Sequence, residues 1–409
     1  MSMSPFLPEL RGREAMPAWA VTACLVLCIT QALFFPLTYG HLWIVDEAGR
    51  GIPTDFVNVW SAGRLVLDGH PAWAYDWDIQ KTVQLAILGQ GYDGNFAWHY
   101  PPPFLFVAAV LASFPYVGAF MAWPLITFIP YAAVMRALVG RPFGWLLAAA
   151  FPALLINASI GQNGFLTAAL IGGTLYFLPS RPVLAGALLG LLSYKPQYGL
   201  LFPLVLLATL QWRAFFSAAA VTLVLALVSL WAFGLETWRA FFHWLPMFSQ
   251  AFLSDGKAYW GKMQSLFAIV RLLGGRAQVA WAAQWALDAV VAVGVVRIWR
   301  SAAAYWIKAA ALATAALLVT PYLFLYDVMV LAIPVALMVR AGLSGGFLPH
   351  ELSALSAAFL LLAAYAAVGL PTGFVASLIV AILVVRRYRA ALPARLAPLP
   401  PAGLSQLPT

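Results

Sequence analysis

Three charged residues stand where so apolar a chain has little use for them. They are Asp55 in "GIPTDFVNVW", Lys195 in "LLSYKPQYGLL" and Asp327 in "VTPYLFLYDVMVLAIP". Ionisable groups in or beside a bilayer are costly to place, so each is a candidate functional group. A carboxylate at a polar edge can take a proton from a hydroxyl. A lysine isolated between two apolar runs can clamp a phosphate. Pro196 after it frees a carbonyl and bends the chain, which aims the side chain into a cavity. Each residue also has a plainer reading. Aspartate is a good helix N-cap, worth about 1 kcal/mol. A lysine can snorkel to an interface, and Asp327 can simply pair with Lys195 or an outer-loop arginine.

Other side chains join these three. Gln162 and Asn163 in "GQNGFLTAAL" are neutral hydrogen-bond groups at a helix start, suited to a sugar, to a headgroup or merely to capping. His99 beside Tyr100 can contact a substrate or sit at an interface. Asp46, Glu47, Lys257, Lys262, Arg271, Arg276, His41 and His243 complete the candidates on the same side of the membrane. The histidines are dispersed, and no HExxH, DxD, P-loop or GxGxxG stands in the context its chemistry needs, so no metal, nucleotide or other cofactor is expected. Cys24 and Cys28, the only cysteines, sit four apart on one face of the first apolar run, where they read as small apolar residues in a lipid or helix contact.

The elements that must position these groups are helices. The 409 residues are 63% hydrophobic and 9% charged, far below the roughly 25% charge of soluble domains. Repeated long apolar runs at that charge content mean a polytopic membrane protein. The run 16–37 is too long for a signal-peptide core and lacks a small-residue cleavage site, so it reads as a retained first helix. Apolar spans are expected at 16–38, 101–138, 143–157, 165–179, 182–194, 197–211, 215–234, 279–299, 307–323, 326–341, 352–369 and 372–387, about twelve in all. The fold expected is therefore an all-α polytopic domain over residues 1–391, followed by a proline-rich, disordered cytoplasmic tail, 392–409. Several spans fall short of the roughly 20 residues a bilayer needs. The pairs that meet at "NASIGQNG" and "SYKPQ" put irregular polar backbone at depth, which is tolerated where it lines a cavity.

Net charge is +9. The arginines and lysines cluster in short loops rather than in a stripe, which excludes nucleic acid as a partner and orients the chain. Arg11, Arg13, Arg136, Arg141, Arg181, Arg213, Arg297, Arg300, Lys308, Arg340, Arg386, Arg387 and Arg389 share the cytoplasmic side if region 101–138 crosses once. Segment 101–114 then reads as a re-entrant or partial helix. The loops 39–100 and 235–263, with "GQNG", "YKPQ" and "PYLFLYD", face outward. Loop 39–100 holds seven of the 14 acids. Its stretches "TDFVNVWSAGRLVLDG" and "AYDWDIQKTVQLAILGQ" read as amphipathic helices lying on the membrane face.

Taken in order, "TDFVNVWSAGRLVLDGHPAWAYD", "YPPPFLFV", "GQNGFLTAAL", "YKPQYGLLFPLVLL", "WRAFF", "MQSLFAIVRLL" and "TPYLFLYDVMVLAIP" give the chain a resemblance to glycosyltransferase family 87 from about residue 50 to 340. That family comprises bacterial polytopic enzymes of the GT-C fold and includes polyprenol-phosphate-mannose-dependent mannosyltransferases. The resemblance implies a sugar donor on a lipid phosphate, an acceptor glycan or glycolipid, surrounding membrane lipids, an outer-facing pocket in the cytoplasmic membrane and no metal requirement. It matches the family's base to Asp55, its Lys-Pro pair to Lys195 and Pro196, and its late aspartate to Asp327. The family's Asn-Gln-Ser is here Met263, Gln264, Ser265, which departs at the first position. The expected site is Asp55 as base, Lys195, Arg271 and Arg276 on the donor phosphate, and His99, Tyr100, Gln162, Asn163, Gln264 and Asp327 on substrate. A transporter or lipid flippase with a charged midplane cavity is the alternative, although the inverted repeat of many transporters is not evident. A scaffold that only binds a lipid-linked glycan is a third reading.

Overall fold

The computed structural model describes residues 16–38, 42–94, 96–140, 142–256 and 259–391. The expectations placed on Arg11, Arg13, His41, Arg141, Lys257 and the tail 392–409 lie outside the described residues. Seventeen helices follow one another among those residues: α1 (Ala18–Thr38), α2 (Phe56–Leu67), α3 (Trp77–Leu88), α4 (Leu105–Ala112), α5 (Tyr116–Val139), α6 (Phe143–Ala150), α7 (Ala153–Ser159), α8 (Gly164–Phe177), α9 (Pro182–Leu191), α10 (Leu201–Ala208), α11 (Trp212–Ser249), α12 (Leu266–Leu272), α13 (Ala277–Arg300), α14 (Tyr305–Leu318), α15 (Ala332–Gly345), α16 (Glu351–Val368) and α17 (Thr372–Ala391). Short 3-10 turns join several of them, and the only β pairings among the described residues are single bridges, Val45 with Gly51 and Met263 with Phe324.

Among the described residues, five stretches are long and apolar enough to cross a membrane: Tyr116–Val139, Trp212–Leu253, Ala277–Arg300, Leu325–Gly345 and Glu351–Val368. They divide by surroundings. Leu325–Gly345 is almost wholly enclosed and forms the core with α8 and α14. The long α11 instead turns Phe216, Leu223, Leu227, Trp231 and Leu235 outward, and α13 does the same with Val279, Trp285 and Val290. An apolar exterior of that extent suits lipid and no aqueous surface. Helices α16 and α17 are tied by a partly buried pair, with Arg387 Nε donating to Glu351 Oε1 at 2.7 Å.

Several expected spans are cut differently by the structure. Region 143–157 is two helices, α6 and α7, because Pro152 lacks an N–H and holds Phe151 in an extended conformation, ψ 123°. The expected loop 235–263 is mostly helix. Gly234 takes φ 79°, ψ 167°, which breaks the geometry without stopping the chain, and α11 resumes as far as Ser249. Segment 101–114 carries the short helix Pro102–Ala112. At about 1.5 Å per residue that helix reaches only about halfway across a hydrocarbon core of about 30 Å.

The two helices expected in loop 39–100 are present as α2 and α3. Asp76 caps α3, accepting hydrogen bonds from the backbone of Asp78 and Ile79, both at 3.0 Å. Helix α2, however, does not lie on a membrane face. It is packed inside the protein against α4, because Gly63 has no side chain and lets the Ala108 carbonyl approach; a Cβ there would lie 2.0 Å from that oxygen. Its other face carries buried Ser61 and the Asn58 backbone carbonyl, which meet Gln80 and Gln84 of α3 in a polar network.

Candidate active site

The break "GQNG" is built for close approach at both ends. Gly161 has φ +66°, and a Cβ on it would lie 2.7 Å from Phe56 of α2. A Cβ on Gly164 would lie 2.1 Å from the Tyr326 carbonyl. The two glycines therefore let one turn touch the start of α2 and the segment that carries Asp327. From the preceding helix, Asn157 Oδ1 accepts the Gly164 N–H at 2.7 Å and so caps α8. Adding a methyl group at Gly164 must push the Tyr326–Asp327 backbone away. We expect Gly164→Ala to cost about 1–3 kcal/mol, read as a lowered unfolding temperature, and to reduce turnover with it.

Asp55 occupies the N-cap position of α2 but makes no side-chain cap bond. Its carboxylate is turned away from its own helix. Oδ2 accepts from Gln162 Nε2 at 2.9 Å, and Oδ1 takes no hydrogen bond from a described residue. Behind Gln162 the donors run one way: Asn163 Nδ2 donates to the Tyr100 hydroxyl at 3.0 Å, and that hydroxyl donates to Gln162 Oε1 at 3.3 Å. Gln162, Asn163 and Tyr100 are buried, whereas Asp55 keeps partial exposure. Burial pushes the Asp55 carboxyl above its ordinary 3.8, against the Gln162 hydrogen bond and the positive charges of Lys262 and Lys195; the charge of Asp327 adds to the rise. A carboxylate with a raised pKa and one free oxygen is suited to accept a proton.

Lys195 sits between two 3-10 turns, Leu192–Tyr194 and Pro196–Gly199, with φ −131°, ψ 70°. Pro196 keeps it out of helix, and its side chain turns inward. Nζ lies 2.5 Å from Asp327 Oδ1, and both residues are buried. The rings of Tyr326, Tyr100 and Tyr198 surround the ammonium, with centroids 5.2, 5.9 and 5.9 Å away. Lys195 also lines a cavity of about 370 Å³, with His99, Tyr100, Tyr194, Phe241, Phe248 and Tyr322 among its walls. Its aromatic and aliphatic side comes from the half of α11 beyond Gly234. His99 is neutral there: burial pushes its pKa down to about 4, the Ala97 carbonyl opposes the shift and the charge of Lys195 adds to it. The ring's Nδ1 lies 3.2 Å from that carbonyl, which leaves Nε2 as an acceptor. Asp55 is not part of the cavity wall. It connects to that wall through Gln162 and Tyr100.

Asp55, Gln162, Asn163, Tyr100, His99, Lys195 and Asp327 are thus brought together, and the other expected residues are placed elsewhere. Arg271 donates to the Gly275 carbonyl at 3.0 Å and stacks on Trp260 at 4.9 Å. Arg276 is exposed at the start of α13. Neither lines the cavity. Gln264 is a buried brace. Its Oε1 accepts from the Gly373 N–H at 2.7 Å, and its Nε2 donates to the carbonyls of Gly261 and Lys262 at 3.1 and 3.2 Å. Asp288 accepts a hydrogen bond from Gln284 Nε2 at 2.7 Å. Asp46 pairs with Arg50 at 2.8 Å, and Glu47 and His243 are exposed. Cys24 and Cys28 are free thiols. Among the described residues, no three His, Cys, Asp or Glu side chains gather into a metal-ligand cluster. The residue the expected site left out is Lys262, whose charge acts on Asp55.

Residues 98–321 match glycosyltransferase family 87, more than half of the sequence. The chain belongs to glycosyltransferase family 87. No curated protein and no solved structure matches it. The protein is a membrane glycosyltransferase, and the family segment contains His99, Tyr100, Gln162, Asn163, Lys195, Lys262 and Gln264. Asp55 and Asp327 lie on either side of that segment, so their roles are argued from the geometry above.

Proposed function

We propose that this glycosyltransferase moves one sugar, mannose or another hexose or a pentose, from a polyprenyl-phosphate donor to an acceptor glycan or lipid at the outer face of the cytoplasmic membrane. One observation carries the reading: Asp55 stands where an N-cap belongs, yet its carboxylate is turned off the helix and held by Gln162 beside the cavity of Lys195. The cavity is aromatic and aliphatic along α11 and cationic at Lys195, which suits an amphiphile with an anionic head. Basic Arg136, Arg181, Arg213, Arg300, Arg340 and Arg387 support a cytoplasmic side away from this site.

The reaction is a single displacement. The acceptor hydroxyl gives its proton to Asp55 while its oxygen bonds to the sugar's anomeric carbon. The bond from that carbon to the phosphate oxygen breaks, and its electron pair stays on the phosphate. A single displacement inverts the anomeric centre, by the logic of an inverting glycosidase with an alcohol in place of water. Phosphate leaves without a general acid, so the reaction needs no metal if cations meet the charge that develops there. Lys195 supplies one, oriented by Asp327. Neutral His99, on the cavity wall, meets a sugar hydroxyl through Nε2, while Gln162 and Asn163 stay in the hydrogen-bond chain that holds Asp55.

Purified protein given polyprenyl-phosphate hexose labelled in the sugar should release polyprenyl phosphate and transfer the label to glycan or glycolipid of the same envelope. A donor that stays intact while a nucleotide-sugar is consumed would refute the donor class.

A further inference from the structure

We propose that Lys262 is a second substrate cation, an exposed lysine on a braced strap joined to the segment that carries Asp327, which meets the donor's phosphoryl group. The inference rests on the lipid-phosphate reading and deepens it.

The charges around Asp55 carry the argument. The charged groups in electrostatic reach of it are Lys262, Lys195 and Asp327, and the titratable hydroxyls in reach are Tyr100, Tyr322 and Tyr326. Neutral His99 lies on the Lys195 side. Lys195 is neutralised by Asp327 at 2.5 Å. With Asp55 ionised, the site without Lys262 therefore carries one net negative charge. Such a site repels a phosphodiester, and repels still more the phosphate monoester that departs. Lys262 supplies the missing positive charge. It pairs with no carboxylate among the described residues, and its charge acts on Asp55 more strongly than that of Lys195.

The backbone under Lys262 is fixed from several directions, although its side chain is exposed. Gln264 holds its carbonyl at 3.2 Å and reaches across to Gly373 at 2.7 Å. The neighbouring Met263 bridges to Phe324, three residues before Asp327. Gly261 is pressed on the Gly369 carbonyl so closely that a Cβ would lie 2.0 Å from it. Trp260 packs on Phe267 at 6.1 Å and under Arg271 at 4.9 Å. A strap anchored on both sides of one unpaired lysine presents that lysine. In the transfer step Lys262 stays protonated and takes up charge as the phosphate oxygen receives the electron pair of the broken bond.

The test compares Lys262→Gln and Lys262→Arg in the full-length protein with labelled polyprenyl-phosphate hexose. Lys262→Gln should lower the unfolding temperature only slightly at neutral pH, because the exposed side chain makes no ion pair or hydrogen bond with a described residue and loses only its attraction to ionised Asp55. Its kcat/KM for donor should fall about 100-fold, the usual loss for one preorganised charge-stabilising group, and Lys262→Arg should recover most of that. The acid limb of the pH profile should move to higher pH in Lys262→Gln, because Asp55 loses a cation that favours its ionised form. An unchanged kcat/KM, a loss that arginine does not rescue, or an acid limb that stays in place overturns the assignment. Asp55→Asn measured alongside separates the failures. If it is inactive while Lys262→Gln is normal, the lysine alone is rejected. If it turns over at the wild-type rate, the base itself is rejected.

Discussion

Asp55→Asn should lose turnover by about 10²- to 10⁴-fold, the span attributed to general bases, while the purified protein keeps its affinity for the lipid-phosphate donor. The substitution removes the proton acceptor and little else. Asparagine is the same size, and its amide oxygen can still accept from Gln162, which now donates at 2.9 Å. The same change should not lower the unfolding temperature at neutral pH, and the sign follows from linkage. Burial raises the carboxyl above 3.8 in the folded protein, so between the unfolded and folded values the native state binds more protons and stability falls as pH rises. Above the folded value the ionised carboxylate is a cost, and the neutral amide of the variant does not carry it. Loss of activity together with unchanged or raised thermal stability is the signature of a group kept for chemistry. Activity in the wild type should fall as pH drops through the raised pKa, since only the ionised form accepts a proton. A variant that turns over normally, or one that fails only because it unfolds, removes Asp55 from the proposed step.

The fold class was legible because its signal is compositional, and α2 and α3 were legible because their periodicity survives in a polar loop. The boundaries that went astray did so for local reasons. Gly234 resembles a helix end, yet here it is a kink after which the apolar pattern of Trp238, Phe241, Leu245 and Phe248 resumes. Pro152 lies within an apolar run whose hydropathy hides the break. Surface placement of α2 was a reasonable reading of its amphipathicity, but the partner that covers it is α4, admitted by Gly63. In the site, residue type pointed to Asp55, Lys195 and Asp327, while what each one does depends on contacts across 107 and 132 residues. No local pattern says that Asp55 declines to cap or that Gln264 is spent as a brace. Lys262 carries no motif. Its importance appears only when Lys195 is seen to be neutralised already.

The largest stability effect should come from dividing the Lys195–Asp327 pair. Both side chains are buried and 2.5 Å apart. Removing one partner leaves the other charged, enclosed and unpaired, which typically costs about 3–5 kcal/mol. Lys195→Met and Asp327→Leu should each lower the unfolding temperature markedly. Replacing both should recover most of that loss, because two apolar side chains in place of a buried ion pair are often neutral or stabilising. Turnover provides the second axis. If Lys195 only fills a structural need, the double variant regains activity with its stability. If its ammonium also meets the donor phosphate, with N–H groups beyond the one given to Asp327, the double variant is stable and inactive, and its affinity for polyprenyl phosphate drops. Measuring unfolding, turnover and product binding on the same three variants decides between these two roles. We expect the second, because Lys195 lines the cavity, whereas a purely structural pair would be as well served by sealing itself away from it.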